Sequence, residues 1–325
     1  MVAMPAPGLP DGEGWSLCVS SQVGCRMGCK FCETGRMGLL RNLTAAEIVS
    51  QVAHCRFSLG LRIVNVIFMG MGEPLDNVEN VVQAVRVLTD PSGLGLALSH
   101  ITVSTSGVAC HVYTLMAALP GVRLAFSLHA AEETLRSRLM PVNRKVSLHE
   151  LAGAMRAYLH ATKRRVTIQY ILLAGVNDLP EHADQLAAYL SSVGPANRFH
   201  VNLIPYNAQS GVPRFAAPSH DACKAFKTGL QRPHGLFVKI RETKGAEKMA
   251  ACGQLGNVAL RRQLNRRRRA AEEATEDADA DADADRGVEA VADAAHATEA
   301  PLAYEQLERV ATAPTRLCGR EDLSW

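Results

Sequence analysis

The chain has 325 residues, 47% of them hydrophobic and 5% aromatic, which is enough for one large α/β domain or two ordinary ones. No stretch reaches the ~18 uninterrupted apolar residues of a membrane span. The opening MVAMPAPGLPDGEGW also lacks the basic start and apolar run of a secretory leader, so a cytoplasmic protein without membrane contact is expected. The net charge of +3 hides an asymmetry: residues 270–300 carry 11 acids against one Arg, a balance of −10 that leaves +13 for the rest. A basic body suits a polyanionic partner, although many soluble enzymes are mildly basic. Nine cysteines at uneven spacing fit reduced thiols and a metal site better than a disulfide scaffold.

Residues 1–14 read as a short lead-in. Strand-like runs then follow at SLCVSS (16–21), VNVIFMG (64–70), ITVSTS (101–106), RLAFSLHA (123–130), VTIQYILLA (166–174), HVNLIPY (200–206) and FVKIRE (237–242). Amphipathic segments separate them, two of which open on capping boxes, Thr44 with Glu47 and Ser147 with Glu150. Near-continuous β-branched strands alternating with helices predict parallel βαβ units covered on both faces. That pattern suits a complete or partial βα-barrel, with a doubly wound sheet as the competing architecture. The body ends near Asn257. Residues 258–269 form a basic helical extension that includes LRRQLNRRRR (260–269), whose arginines suit either a solvated helix end or phosphate contact. Residues 270–325 are low-complexity and acidic, and too little of that segment is apolar to offset chain entropy, so a mostly disordered tail is expected.

Chemistry concentrates where the strands end, as parallel βα architectures require. VGCRMGCKFCETG (23–35) places Cys25, Cys29 and Cys32 at spacing C-x3-C-x2-C. Three thiolates leave one corner of a four-cornered metal group open. The competing reading is a zinc site closed by Cys18, across a gap wide for that metal. MGMGEP supplies Gly72 and Glu73, STSG supplies Ser104, SLHA supplies Ser127, Leu128 and His129, and IPYN supplies Asn207. Each of these also has a structural reading, Glu73 for instance as an acid favouring a helix start. Cys252 in AACGQL would by itself be an ordinary small hydrophobe. Cys55, Cys110 and Cys223 fall outside every motif, and Cys318 lies in the tail.

Taken together, LCVSSQVGC, FCETGRMGLLRNLT, VIFMGMGEPLDN, VSTSGV, FSLHA, VNLIPYN and AACGQLGN resemble the RlmN/Cfr family of radical S-adenosylmethionine (SAM) adenine methyltransferases, over roughly residues 15–257. The resemblance implies a partial (βα)6 barrel of the radical SAM type. Cys25, Cys29 and Cys32 would hold three irons of a [4Fe–4S] cluster whose open iron takes the amino and carboxylate groups of SAM. Gly72, Glu73, Ser104, Ser127, Leu128, His129 and Asn207 would contact SAM. Adenine carbons 2 and 8 are not nucleophiles, and a radical route reaches them. By motif, Cys252 would carry the methyl group as S-methylcysteine, and Cys18 would release the product through a transient disulfide with Cys252.

The implied partners are RNA, with 23S rRNA ahead of tRNA, and an electron donor such as flavodoxin or ferredoxin. Two departures accompany the match. Only 17 residues precede Cys18, where family members carry an accessory domain, and Glu13 sits too near Cys18 to match the family's proton-accepting Glu. From other classes, an inactive iron–sulfur RNA-binding protein and a zinc-stabilised structural protein compete with the enzyme reading. Cys18 and Cys252 argue against the former, since a binding module needs neither.

Overall fold

The computed structural model describes residues 1–10, 12–207, 214–241 and 253–256. The extension and tail expected at 258–269 and 270–325 lie outside the described residues. Among the described residues there are ten strands, β1 Val2–Pro5, β2 Trp15–Cys18, β3 Gln22–Cys25, β4 Gly38–Asn42, β5 Ile63–Phe68, β6 Ile101–Thr105, β7 Arg123–Ser127, β8 Val166–Leu172, β9 Phe199–Pro205 and β10 Phe237–Ile240. The α-helices described are α1 Glu33–Met37, α2 Ala45–Ala53, α3 Val78–Thr89, α4 Ala109–Ala118, α5 Glu133–Leu139, α6 Leu148–Thr162, α7 Pro180–Val193 and α8 His220–Gln231.

The main sheet runs β1-β2-β5-β6-β7-β8-β9-β10. Every neighbouring pair is parallel except β1 with β2. Along the parallel strands, spatial order follows chain order without reversal. A doubly wound sheet must reverse at a switch point, so this sheet winds as a barrel does. Phe68, Ser104, Ser127, Gln169 and Ile204, from five successive strands, line one cavity, which places them on the inner face of a curled half-barrel. The expected partial (βα)6 barrel is the architecture found.

Helices cover the outer face, each in contact with the next from α2 through α3, α4, α6 and α7 to α8. In α3, Val78, Val81, Val82, Val85 and Leu88 are buried, the spacing of one helical face. Both expected capping boxes are formed, Thr44 with Glu47 on α2 and Ser147 with Glu150 on α6. All seven expected strands are present, each shorter at its C-terminal end than the apolar run suggested, and after β5, β6 and β7 the chain continues into the cavity wall. The lead-in carries one strand. Val2–Pro5 pairs antiparallel with β2, Val2 opposite Cys18, and forms an edge strand, a place where Pro5 is tolerated.

Candidate active site

The cysteine loop is held by a small hairpin. β3 and β4 pair antiparallel, Cys25 opposite Gly38, so residues 26–37 form a loop clamped at both ends. Gly24 lies in the left-handed region, and a Cβ there would meet the Gly38 carbonyl oxygen at 1.9 Å. Only glycine allows the two strands to approach so closely. Cys25 ends β3, the Cys32 N–H donates to the Cys29 carbonyl at 3.1 Å, and Cys32 is the N-cap of α1.

All three cysteines line the cavity. Burial, then the neighbouring Cys32, pushes the Cys29 thiol up to about 12. Burial and Cys29 likewise raise Cys25. These two thiols therefore resist ionising together unless a cationic group lies among them, since a coordinated thiol loses its proton. Among the described residues, no three His, Cys, Asp or Glu side chains converge as a single metal ion would need. A zinc site requires such convergence, whereas thiolates holding separate irons of one cluster do not. The donor set fits a [4Fe–4S] cluster.

Facing the loop, Gly72 and Glu73 follow β5. A Cβ on Gly72, whose φ is +103°, would meet the Gln22 side chain at 2.6 Å. The Glu73 N–H donates to Gln22 Oε1 at 2.9 Å, which ties this turn to the hairpin. Glu73 is buried. Its Oε2 accepts from the Ser106 N–H and hydroxyl at 2.7 and 2.8 Å, and its Oε1 accepts from the Leu75 N–H at 3.1 Å. The helix-start role is therefore real, and the carboxylate stands in the cavity wall. Burial raises its pKa and the Ser106 donors oppose that rise. A cationic partner in the cavity would favour the ionised form.

Ser104, one residue before the end of β6, and Ser127, the last of β7, have their hydroxyls 3.4 Å apart. His129 has φ +60°, an uncommon conformation for a side chain of this size. Its Nδ1 accepts from the Ile171 N–H at 2.9 Å, so the neutral ring presents Nε2–H. Burial, then Arg136, holds its pKa down at about 3.

Arg136 is fully buried, and burial lowers its pKa to about 10. It donates to the Ser106 carbonyl at 2.6 Å, the Leu128 carbonyl at 3.1 Å and Asn143 Oδ1 at 2.6 Å. One guanidinium thus joins the ends of two strands at the cavity rim.

The cavity brings together Cys25, Cys29, Cys32, Gly72, Glu73, Ser104, Ser127 and His129. Leu128 lies beside them, its side chain in the core. Asn207 is buried just past β9, and Cys18 is buried at the end of β2, opposite Ile67; neither lines the cavity. Cys252 lies outside the described residues. Its neighbour Gly253 lines the cavity with Leu255. The Gly253 carbonyl accepts from the Glu33 N–H at 2.8 Å, and the Leu255 carbonyl accepts from the Thr34 hydroxyl.

Ser106, Gln22 and Arg136 were not legible as site residues. Ser106 sits in STSG beside the residue the motif singles out, and Gln22 sits within SSQVGC. Arg136, on a short charged helix, gives no sequence signal of burial.

A half-barrel with three cysteines on its first loop and a Gly-Glu turn on the next defines a radical SAM protein. Residues 19–187 match the model of the radical SAM superfamily. The chain is 47% identical over 256 residues to "Probable dual-specificity RNA methyltransferase RlmN 1" of Protochlamydia amoebophila, covering 78% of this chain and 70% of that protein. It is 46% identical over 249 residues to "Dual-specificity RNA methyltransferase RlmN" of Syntrophobacter fumaroxidans, covering 76% and 71%. A solved radical SAM methyltransferase from Sphaerobacter thermophilus superposes with a TM-score of 0.71 at 42% identity, covering 78% of this chain and 72% of that one. The chain belongs to the RlmN family of radical SAM RNA methyltransferases, whose cofactors are a [4Fe–4S] cluster and SAM.

Proposed function

We propose that the protein methylates carbon 2 or carbon 8 of an adenosine in RNA, 23S rRNA before tRNA, with Cys252 as the methyl carrier. The observation that carries this reading is the seating of residues 253–256 on the cysteine loop, with Gly253 in the cavity wall. A thiol adjacent in sequence to that wall is well suited to receive a methyl group from a cofactor in the cavity.

Cys25, Cys29 and Cys32 would hold the cluster, and Gly72, Glu73, Ser104, Ser127 and His129 in the cavity wall, with Leu128 and Asn207 behind it, would bind SAM, the Glu73 carboxylate pairing with a cationic group. When bound, cluster and SAM supply a 5′-deoxyadenosyl radical, with the electron coming from a donor such as flavodoxin or ferredoxin. Cys252 would present its S-methyl carbon to the base. The Cys18 thiolate would then attack the Cys252 sulfur, forming the S–S bond as the C–S bond breaks, and the carbon would leave with the electron pair and take up a proton to complete the methyl group. Among the described residues, no helix is long and apolar enough to cross a membrane.

The direct test is mass-spectrometric mapping of methyladenosine in RNA from cells with and without the gene, which also reads carbon 2 against carbon 8. On the protein, active enzyme should carry a methyl-sized mass increase on its Cys252 peptide. Cys18→Ala should load that methyl group and stall as a covalent protein–RNA adduct, while Cys252→Ala should form no adduct. Full turnover by Cys18→Ala would reject the division of labour.

A further inference from the structure

The residues that seat the segment after Cys252 belong to the cysteine loop itself. Cys32 caps α1, and the next two residues bind residues 253–256. The Glu33 N–H donates to the Gly253 carbonyl at 2.8 Å, and the Thr34 hydroxyl donates to the Leu255 carbonyl. Two glycines allow the approach. Gly253 has φ +82°, and a Cβ there would meet the Phe31 carbonyl oxygen at 3.2 Å. A Cβ on Gly256 would meet Glu33 Cγ at 2.5 Å, closer than side chains pack. Glu33 cannot readily swing aside, because it is buried and ion-paired to Arg36 at 3.1 Å. Thr34 is buried as well.

Cys252 is one peptide bond from Gly253, so the two Cα atoms lie about 3.8 Å apart. Whatever fixes Gly253 against the loop therefore restricts where Cys252 can be. Gly253, Leu255 and Thr34 all line the cavity with Cys29 and Cys32, so the segment is fastened at the rim of the space read as the cofactor's. A thiol that is to receive a methyl group must be held close to it and in line. Positioning of that kind raises a rate without taking part in the chemistry.

We infer that Thr34 and Gly256 are positioning residues for the loading of Cys252, together holding the segment after it against α1 at the cavity. This rests on the reading of Cys252 as the methyl carrier. In this role neither residue needs to touch the reacting atoms. Thr34 supplies a hydrogen-bond donor, and Gly256 supplies the room for close packing. Replacing either should leave the cluster and SAM in place and slow only the arrival of the methyl group on Cys252.

The test prepares wild type, Thr34→Val, Thr34→Ser and Gly256→Val without iron, loads each with the cluster, and adds SAM carrying a deuterated methyl group. Iron and sulfide content, equilibrium SAM binding and the rate at which label appears on the Cys252 peptide are then measured. Thr34→Val keeps the side-chain shape and removes the donor, so it should load Cys252 about fivefold more slowly, the loss of one hydrogen bond. Gly256→Val should be slower still, since its side chain collides with Glu33. Both should match wild type in iron and in SAM affinity, a separation that general loosening of the loop would not give. Thr34→Ser keeps the hydroxyl and should load close to the wild-type rate. Wild-type loading by Thr34→Val or by Gly256→Val would overturn the inference. So would SAM affinity or iron lost in step with loading, or Thr34→Ser as slow as Thr34→Val. If wild type held cluster and SAM yet never labelled Cys252, the carrier reading itself would fail and take the inference with it, a result distinct from variants that load as wild type does.

Discussion

Of three thiols within eight residues, Cys25 and Cys29 are pushed towards their neutral forms by burial and by neighbouring thiols, and a metal group bound there would ionise them. Each thiolate would hold a different iron, so none can stand in for another. Cys29→Ala should therefore abolish cluster binding and SAM cleavage together, read as iron and sulfide content and as 5′-deoxyadenosine formed. Cys55→Ala and Cys223→Ala, buried away from the cavity, should keep both. Glu73 allows a second test in protein free of metal and SAM. Its folded pKa is raised by burial, so the folded state holds a proton that the unfolded state has released. Stability should then be full below the ordinary Glu range and fall as pH rises through the raised value. Glu73→Gln should flatten that slope in thermal melts taken across the range, and an unchanged slope would place its origin elsewhere.

At the scale of elements, what was legible depended on whether a pattern was local. The seven parallel strands announce themselves as short apolar runs, several of them rich in Val and Ile, and the capping boxes at Thr44 and Ser147 mark helix starts by chemistry confined to four residues. The edge strand Val2–Pro5 carries no such mark, because its pairing with β2 is decided by a sheet edge that exists only after folding. The hairpin of Gln22–Cys25 with Gly38–Asn42 was hidden because its strands are short and its sequence is dominated by the cysteine motif. Arg136 is the strongest example of tertiary context overriding local appearance. A charged residue on a seven-residue helix becomes a fully buried clamp across the ends of β6 and β7. Arg136→Met would leave the Ser106 and Leu128 carbonyls and Asn143 Oδ1 without their donor, a loss of about 3–6 kcal/mol. Denaturant unfolding should show it, and Arg136→Lys should recover only part because an ammonium cannot reach three fixed acceptors in a fork.

For the whole molecule, charge carries the remaining argument. The family model and the RlmN relatives account for the barrel, while the acidic run at 270–300 opposes a body that is otherwise strongly basic. An RNA substrate presents a dense line of phosphates, and the cations that attract it attract an acidic segment of the same chain as well. The tethered acids are always at hand, so they should compete with RNA for the body most at low ionic strength. Screening shortens such interactions to a Debye length of about 8 Å at physiological salt and about 3 Å at 1 M. Removing residues 270–325 should therefore leave cluster content and SAM cleavage unchanged, since the residues read as performing both lie before 258. The same truncation should tighten RNA binding several-fold at about 50 mM salt and steepen the dependence of affinity on salt, with the two proteins converging near 0.5–1 M. Filter binding of labelled RNA across a salt series measures both the affinity and the slope. Equal affinity at low salt would show that the acidic run does not compete for the RNA-binding surface. A loss of affinity on truncation would instead give residues 270–325 a direct part in holding the substrate.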